Sequence, residues 1–151
     1  MAPRNNRLVI RVLSKTHAFW YRLTGGTLGG RMRGMPVLLL TTTGRKSGKP
    51  RATPLTYLEY GGDIVVIASN SGDDRDPGWW RNLKTHPDAT IQLKRDRRPV
   101  RAERATAEEK ARIWPELIAR NADYDDYARR TTRDIPVVIL KCMTDRTTEP
   151  A

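Results

Sequence analysis

The sequence predicts a small β-barrel, closed or split, with helices attached to it. Six apolar segments rich in β-branched residues are separated mainly by short turns, and two segments between them have helical patterns. Short connections favour antiparallel neighbours, and therefore a barrel over a parallel sheet. A chain of 151 residues can bury one such core but is too short for two ordinary domains.

The first half of the predicted barrel contains three strands. We expect them at residues 37–43, 51–60 and 64–68. The first two form a hairpin whose turn is residues 44–50. Pro54 cannot donate a hydrogen bond to a central ladder, so it marks a bulge or a sheet edge.

A short helix should follow the polar loop at residues 69–76. Asp76 is placed to cap this helix, Pro77 suits its first position, and it should end near residues 86–87.

The remaining strands complete the barrel, and we predict them at residues 89–94, 100–105 and 135–142. The first two of these form a hairpin joined through residues 96–99. Thr106 and Glu109 have the spacing of a capping box, which starts a long helix at about residue 107. Pro115 should kink or restart that helix.

Residues 6–23 fit an amphipathic helix, with apolar side chains on one arc and basic side chains beside them. This helix packs on its own domain or rests on an anionic membrane surface through residues 4–23. We therefore divide the chain into this helix with a glycine-rich segment at 1–28, the barrel at 29–145 and a tail at 146–151.

The positive charge is concentrated at the start of the chain. No acidic residue precedes Glu59, and the other 17 basic residues balance all 17 acidic ones, so the net charge of +11 lies in the first 58 residues. Such asymmetry indicates a surface that meets nucleic acid, membrane headgroups or a charged ligand.

The cysteine count and the hydropathy pattern indicate a cytoplasmic protein. Cys142 is the single cysteine, which excludes an intramolecular disulfide and cysteine-rich metal sites. No apolar run approaches the roughly 18 residues of a membrane span, and the N-terminus lacks a signal core. His17 and His86 have no ligand-spaced partner, so we expect no metal. Peripheral contact with the inner membrane face is the alternative location.

The strongest local signal is the hairpin turn after the first strand. Two glycines permit a tight turn with convergent backbone N–H groups, and four cations surround it, which would suit a phosphate. The candidate phosphate-binding residues are Thr43, Gly44, Arg45, Lys46, Ser47, Gly48, Lys49, Pro50 and Arg51. The run is not a Walker loop, because Pro50 replaces the serine or threonine and a strand follows. An ordinary solvated turn is the alternative.

The second signal is a polar strand end followed by a helix start. The strand end at Ala68 is followed by the hydroxyl side chain of Ser69 and the amide side chain of Asn70. Such groups can hydrogen-bond the edge of a planar heterocycle, and the N–H groups of the helix start favour its carbonyl or anionic oxygens. Trp79 and Trp80 would wall this ring or pack in the core.

A third group is Tyr124 and Tyr127, which lie on one face of a helical turn. The two phenols are candidates for covering a pocket and supplying a proton, with simple packing as the alternative.

Together these motifs resemble the deazaflavin-dependent nitroreductase family of actinobacteria, whose members bind coenzyme F420, a deazaflavin with a phospholactyl-polyglutamate tail. The resemblance extends from about Gly29 to Val138. Its most specific parts are Pro36 to Gly48, Pro77-x-Trp79 with Asn82-Leu83, Trp114-Pro115, Tyr124-x-x-Tyr127 and Arg133-x-Ile135-Pro136.

The resemblance implies a split β-barrel like that of flavin-binding pyridoxamine oxidases, and an oxidoreductase that transfers hydride from reduced coenzyme F420. It implies that residues 43–51 grip the anionic tail and that Tyr124 and Tyr127 face the substrate. The residues implied to meet or line the deazaflavin are Pro54, Ile67, Ala68, Ser69, Asn70, Pro77, Gly78, Trp79, Trp80, Arg81 and Asn82.

Three departures from the nitroimidazole-activating member of that family bear on the substrate. This chain has Asn121 where that member has a tyrosine, Arg130 where it has an aromatic residue and Asn70 where it has a lysine. We therefore expect a hydrophobic quinone or conjugated enone as acceptor, with a nitro compound as the less favoured alternative. The enzyme would act as a monomer or a dimer.

Two other functions fit the same residues. A basic barrel could bind nucleic acid, although aromatic residues for base stacking are scarce on its strands, and we do not expect a nucleic-acid partner. The chain could instead bind coenzyme F420 or a flavin without turnover. Flavin mononucleotide is a less favoured cofactor, and haem could also occupy this fold.

Overall fold

The computed structural model describes Lys15, residues 31–32 and residues 35–143. The strands in this part of the chain are β1 (Arg31–Met32), β2 (Met35–Thr43), β3 (Pro50–Thr56), β4 (Leu58–Tyr60), β5 (Asp63–Ile67), β6 (Asp88–Leu93), β7 (Asp96–Arg104) and β8 (Val137–Cys142). The helices are α1 (Gly78–Thr85), α2 (Ala107–Arg120) and α3 (Asp123–Arg130), and a single 3₁₀ turn spans Asn70–Gly72.

All strand pairs are antiparallel, and the sheet returns to its own start. The order is β1-β2-β6-β7-β8-β5-β4, with β3 on the other side of β2. Only Tyr57 separates β3 from β4, so one bent segment pairs first with β2 and then with β5. Because the hydrogen-bonding partner changes at this bend, the barrel is split there. The predicted fold class is confirmed.

The barrel interior is filled by alternate residues of each strand, as the period of two requires. Helix α1 closes one end of the interior with both tryptophans and Leu83. The strand residues in this core include Leu38, Leu40, Ile64, Val66, Ile91, Val100, Ala102, Val138 and Leu140.

A second apolar layer covers the outer face of β5 and β8. There Val65 and Ile139 pack beneath Ile113 and Leu117 of α2 and Tyr124 of α3. Since β5 and β8 are buried on both faces, their sequences are continuous apolar runs and do not alternate between apolar and polar residues.

The strand directions bring three long connections to the same end of the barrel. β2, β5 and β7 run towards this end, and β3, β6 and β8 run away from it. The connections there are residues 44–49, 68–87 and 105–136, and they contain nearly all of the predicted site residues. The opposite end has short turns at 61–62 and 94–95.

The prediction that Asp76 caps α1 was wrong. The helix starts one residue later, at Gly78, with Pro77 as the N-cap and no side-chain cap. The Asp76 carboxylate instead accepts hydrogen bonds from Arg133 at 2.9 Å and Lys84 at 2.8 Å. These charge-assisted bonds are stronger than a bond to an uncharged backbone N–H group.

The predicted connection through residues 96–99 was also wrong, because these residues belong to β7. Leu93 pairs with Asp96, so only Lys94 and Arg95 form the turn, with Lys94 at φ 56°. Pro99 lies where the β7–β8 ladder ends, and a missing N–H group costs least there.

Other local predictions had mixed outcomes. The capping box is present, and Pro54 lies on β3, which pairs with β2 alone, so the predicted sheet edge is confirmed. Helix α2 does not restart at Pro115 but runs through it. Strand β8 starts at Val137, two residues later than predicted. The helix predicted over 6–23 and the tail at 146–151 lie outside the described residues, apart from Lys15.

Replacing Thr106 by alanine should lower the free energy of unfolding by about 1 kcal/mol, because its hydroxyl accepts the Glu109 N–H at the start of α2. Urea denaturation measures this change. The control is Thr106→Ser, which keeps the acceptor and should unfold close to the wild type. An equal loss in both variants would contradict the capping role.

The other half of the capping box predicts a pH effect. The Thr106 N–H donates to the Glu109 carboxylate at 3.0 Å, and this bond lowers the pKa of Glu109. A lowered folded-state pKa gives stability above the unfolded value of about 4.3 that is lost as the pH falls through the folded value. Glu109→Gln should therefore lose less stability on acidification than the wild type, as measured by urea midpoints between neutral and acidic pH.

Candidate functional site

The hairpin turn of residues 44–49 is held in shape by its own backbone. Gly44 N donates to the Lys49 carbonyl and Gly48 N donates to the Gly44 carbonyl, both at 2.8 Å. Gly48 has φ 69°, which glycine adopts without strain. A Cβ on Gly44 would lie 2.6 Å from the Ser47 Oγ and 3.1 Å from the Lys49 carbonyl oxygen, so a larger residue here would require both the serine side chain and the turn backbone to shift.

The cations of this turn are available to an anion. Lys46, Lys49 and Arg51 are exposed, and no carboxylate in the described part of the chain forms an ion pair with them or with Arg45. The absence of acidic residues before Glu59 leaves their field uncompensated locally. The turn is thus a basic surface with free donors.

Asn82 of α1 ties this turn to the helix. Its Oδ1 accepts from the Arg45 backbone N at 3.2 Å and from the Arg45 Nη1 at 3.1 Å. Its Nδ2 donates to the Thr42 Oγ1 at 3.1 Å. Because the Asn82 side chain is buried, these bonds hold the Arg45 guanidinium in one orientation relative to α1.

The loop after β5 has an unusual backbone. Asn70, Ser71 and Gly72 have consecutive positive φ values of 46°, 54° and 81°. Ser69 is in the right-handed region, and a right-handed residue followed by a left-handed one turns successive backbone N–H groups towards a common point, as in anion-binding nests. The loop is therefore preformed for an electron-rich group.

One arginine from the far end of the chain holds this loop. Arg133, between α3 and β8, donates to the carbonyls of Ala68 and Ser69, each at 3.1 Å, and to the Asp73 carbonyl at 3.2 Å. It also pairs with Asp76 at 2.9 Å. The sequence-based site did not include Arg133, because bonds to main-chain carbonyls leave no residue pattern.

Helix α3 packs directly against the same loop. A Cβ on Gly72 would lie 3.1 Å from the Tyr127 carbonyl and 3.0 Å from the Arg130 Cβ. The Thr131 hydroxyl donates to Asp74 at 2.8 Å. Together with Arg133, these contacts join the loop to α3.

The tryptophans occupy the interior rather than an open wall. Trp79 and Trp80 are 7% and 5% exposed and lie edge to face in the barrel core. Pro77 is buried beside them, whereas Gly78 and Arg81 on the same helix are exposed. The part of α1 that can face a ligand is therefore its exposed start, with the rings beneath it.

The two tyrosines lie together on α3, as their spacing predicts. Their rings are 5.9 Å apart and edge to face. The Tyr124 hydroxyl shares a 2.6 Å hydrogen bond with the Thr56 hydroxyl at the end of β3. Tyr124 is buried and Tyr127 half-buried, so the pair joins α3 to the bend between β3 and β4. Thr56 was missed by sequence reasoning, since a lone strand threonine carries no signal.

The fold thus gathers most of the predicted residues around one end of the barrel. The hairpin turn, the loop from Ala68, the start of α1 and the tyrosine helix α3 are joined by the bonds described above. Pro54 lies further down β3, and Ile67 packs in the outer layer under α2 and α3. Two shallow clefts lie elsewhere, the larger of about 250 Å³ beside Cys142 at the opposite end.

Two other features concern metals and membranes. Among the described residues, no group of three histidine, cysteine, aspartate or glutamate side chains could hold a metal ion. None of the helices described here combines the length and apolar character that crossing a bilayer requires.

Comparison with known proteins decides the family. A model of the F420H(2)-dependent quinone reductase family matches residues 13–142. The chain belongs to this family. An F420H(2)-dependent quinone reductase of Mycobacterium tuberculosis is 42% identical over 132 residues, which is 85% of this chain and 89% of the relative. The predicted resemblance to deazaflavin-dependent proteins is confirmed.

Solved structures agree with this assignment. An F420-H2 dependent reductase has a TM-score of 0.64 and 36% identity, covering 70% of this chain and 94% of its own. A Listeria innocua protein assigned as a pyridoxamine 5′-phosphate oxidase has a TM-score of 0.50 at 15% identity, covering 72% of this chain and 84% of its own. The latter supports the split-barrel fold alone. As a member of the F420H(2)-dependent quinone reductase family, the chain is an oxidoreductase whose cofactor is coenzyme F420.

Asn82→Leu should release the hairpin turn from α1. The variant loses three hydrogen bonds and leaves the buried Thr42 hydroxyl without its amide donor, at a cost of about 2 kcal/mol in unfolding free energy. Trypsin should then cleave after Arg45 and Lys46 faster than in the wild type, as followed by mass spectrometry. Asn121→Ala, which removes only a local bond to Asp123, is the control and should leave cleavage at the turn unchanged.

Proposed function

We propose that this chain reduces a hydrophobic quinone with reduced coenzyme F420 at the barrel end formed by the hairpin turn, the loop of residues 68–76 and α3. The observation that carries the proposal is the combination of a preformed polar loop with a cationic turn that has no carboxylate partner among the described residues. Helix α1 joins the two, because its Asn82 bonds Arg45 of the turn and its Lys84 bonds Asp76 of the loop. The coenzyme, when bound, supplies a hydride from its deazaflavin ring.

The chemistry of the donor set fits the two ends of the coenzyme. A phosphate and carboxylate tail needs several cations without competing acids, which Arg45, Lys46, Lys49 and Arg51 provide. Asn82 fixes the guanidinium of Arg45, so less side-chain entropy is lost when an anion binds there.

The ring side would use backbone and small side chains. Ser69 and Asn70 lie in the loop where successive backbone N–H groups converge. The first turn of α1 has no side-chain cap on its backbone N–H groups. Both features present N–H donors to carbonyl oxygens of a planar heterocycle. The buried tryptophans support α1 from below.

Reduction of a quinone to its hydroquinone takes up one hydride and one proton in total. We assign Tyr124 to the substrate side as the group that donates a proton to the quinone oxygen, with Tyr127 shaping the pocket. The hydrogen bond between Tyr124 and Thr56 holds the phenol in place, and solvent would restore the proton after each turnover. The site needs position and polarity rather than a nucleophile.

The basic N-terminal segment suggests where the acceptor is met. A quinone such as menaquinone dissolves in the membrane, and residues 4–23 carry the cations and apolar residues of a helix that lies on an anionic surface. We propose that this segment brings the enzyme to the inner face of the membrane. Binding to vesicles with anionic lipid, but not to neutral vesicles, tests this contact.

Replacing Arg45 and Lys46 together by alanine should weaken the binding of oxidised coenzyme F420 by on the order of 100-fold, since two charge-assisted contacts are lost. Fluorescence quenching during titration measures the dissociation constant. The matched control is Arg95→Ala with Arg97→Ala, which removes two exposed cations at the opposite end. Equal losses in both double variants would mean that only net charge matters and would overturn the assignment of the tail.

Tyr124→Phe should lower kcat with a soluble quinone on the order of 100-fold, while the affinity for the coenzyme stays within about threefold of wild type. The oxidation of reduced coenzyme, followed by absorbance, gives kcat and KM. Thr56→Val, which removes the partner hydroxyl but leaves the phenol, should produce a smaller loss. Wild-type turnover in Tyr124→Phe would exclude the phenol as the proton donor.

A further inference from the structure

We infer that Arg133 is a positioning residue that shapes the loop of residues 68–76 for the deazaflavin ring, without touching the tail of the coenzyme. This inference rests on the proposed function, because it assigns the loop to the ring. It goes further in naming one side chain, from the segment between α3 and β8, as the determinant of ring binding.

The first argument is the number and direction of its hydrogen bonds. The Arg133 Nη1 donates to the Ala68 carbonyl at 3.1 Å and to Asp76 at 2.9 Å. Its Nη2 donates to the carbonyls of Ser69 at 3.1 Å and Asp73 at 3.2 Å. The planar fork therefore crosses the loop and binds both of its sides, which the single ammonium of a lysine cannot reproduce.

The second argument is the backbone that Arg133 encloses. Asn70 and Ser71 have positive φ although neither is glycine, and such conformations persist only where the surroundings over-determine them. The residues that Arg133 holds, at positions 68, 69 and 73, flank this segment on both sides. Other side chains also support the loop: Asn70 donates to the Arg75 carbonyl, Asp73 accepts from the Arg75 N–H, and Asp74 accepts from the Thr131 hydroxyl.

The third argument is the direction in which these bonds point. Arg133 occupies the carbonyl oxygens of the loop, so the opposite edge, which carries the N–H groups of residues 69–71, is left for a ligand. The Arg133 side chain is only 15% exposed and is neutralised by Asp76, so it is poorly placed to attract an anionic tail. Its effect should therefore be confined to the ring.

The experiment separates ring from tail with two probes, oxidised coenzyme F420 and a deazaflavin riboside that has the same ring and no phosphate tail. Wild type, Arg133→Lys, and the Arg45→Ala/Lys46→Ala double variant are titrated with each probe by fluorescence quenching, at a temperature below every Tm. Arg129→Ala is the control, because that exposed arginine lies four residues away and, among the described residues, forms an ion pair with Asp125 and not with the loop.

We expect Arg133→Lys to weaken the binding of both probes by the same factor, about tenfold or more. The Arg45→Ala/Lys46→Ala double variant should weaken the binding of the intact coenzyme but not that of the riboside. Arg129→Ala should leave the binding of both probes unchanged. Unchanged riboside binding in Arg133→Lys would overturn the inference. So would a loss limited to the intact coenzyme, which would place Arg133 at the tail. If the wild type binds neither probe, the proposed function itself fails.

A readout without ligand distinguishes positioning from simple loss of stability. In Arg133→Lys, the amides of Gly72 and Asp73, which donate to the Ser69 and Asn70 carbonyls, should exchange with deuterium at least about tenfold faster than in the wild type. Amides in the centres of β2 and β8 should keep their protection. Asp76→Asn, which leaves the guanidinium in place, provides a second variant with a smaller change in the same amides and in riboside affinity. If exchange became equally faster in the loop and in β2 and β8 in both variants, Arg133 would stabilise the fold as a whole and would not specifically position the loop.

Discussion

Neighbouring strands of an antiparallel barrel run in opposite directions, so each connection must emerge at one of two ends. Here β2, β5 and β7 run towards one end, so the three long connections that follow them emerge there, while Tyr57 joins β3 to β4 in the bent segment at which the barrel is split. The hairpin turn, the loop after β5 and the segment before β8 are far apart in sequence but close in space for this reason. The site depends on that constraint before any individual side chain contributes.

Two kinds of interaction operate at this end of the barrel. The hairpin turn offers exposed cations with no carboxylate partner among the described residues, so its attraction for an anion is electrostatic and sensitive to salt. The loop of residues 68–76 is instead fixed by hydrogen bonds from Arg133. In α1, Asn82 bonds the hairpin turn and Lys84 bonds Asp76 of the loop, so a ligand that spans both regions meets one hydrogen-bonded frame.

Those features of the fold and the site that depend on neighbouring residues could be predicted from the sequence. The capping box at Thr106, the sheet edge at Pro54 and the shared face of Tyr124 and Tyr127 follow from spacing within a few residues. Asp76 was wrongly predicted to cap α1, because Arg133, which donates a hydrogen bond to its carboxylate, lies 57 residues later in the chain.

Long-range contacts explain the other differences too. Trp79 and Trp80 could wall a ligand or fill a core, and only the closure of the barrel by α1 places them inside. Arg133 was quoted as part of a family motif, but its bonds to carbonyl oxygens depend on the path of a loop more than sixty residues away.

The most direct test of the account is a crystal structure of the chain with oxidised coenzyme F420. The account predicts the phosphate and glutamate tail within hydrogen-bonding distance of residues 44–51, and the deazaflavin ring against the loop of residues 68–76 and the start of α1. A coenzyme lodged in the cleft beside Cys142, or one bound with the hairpin turn empty, would contradict it.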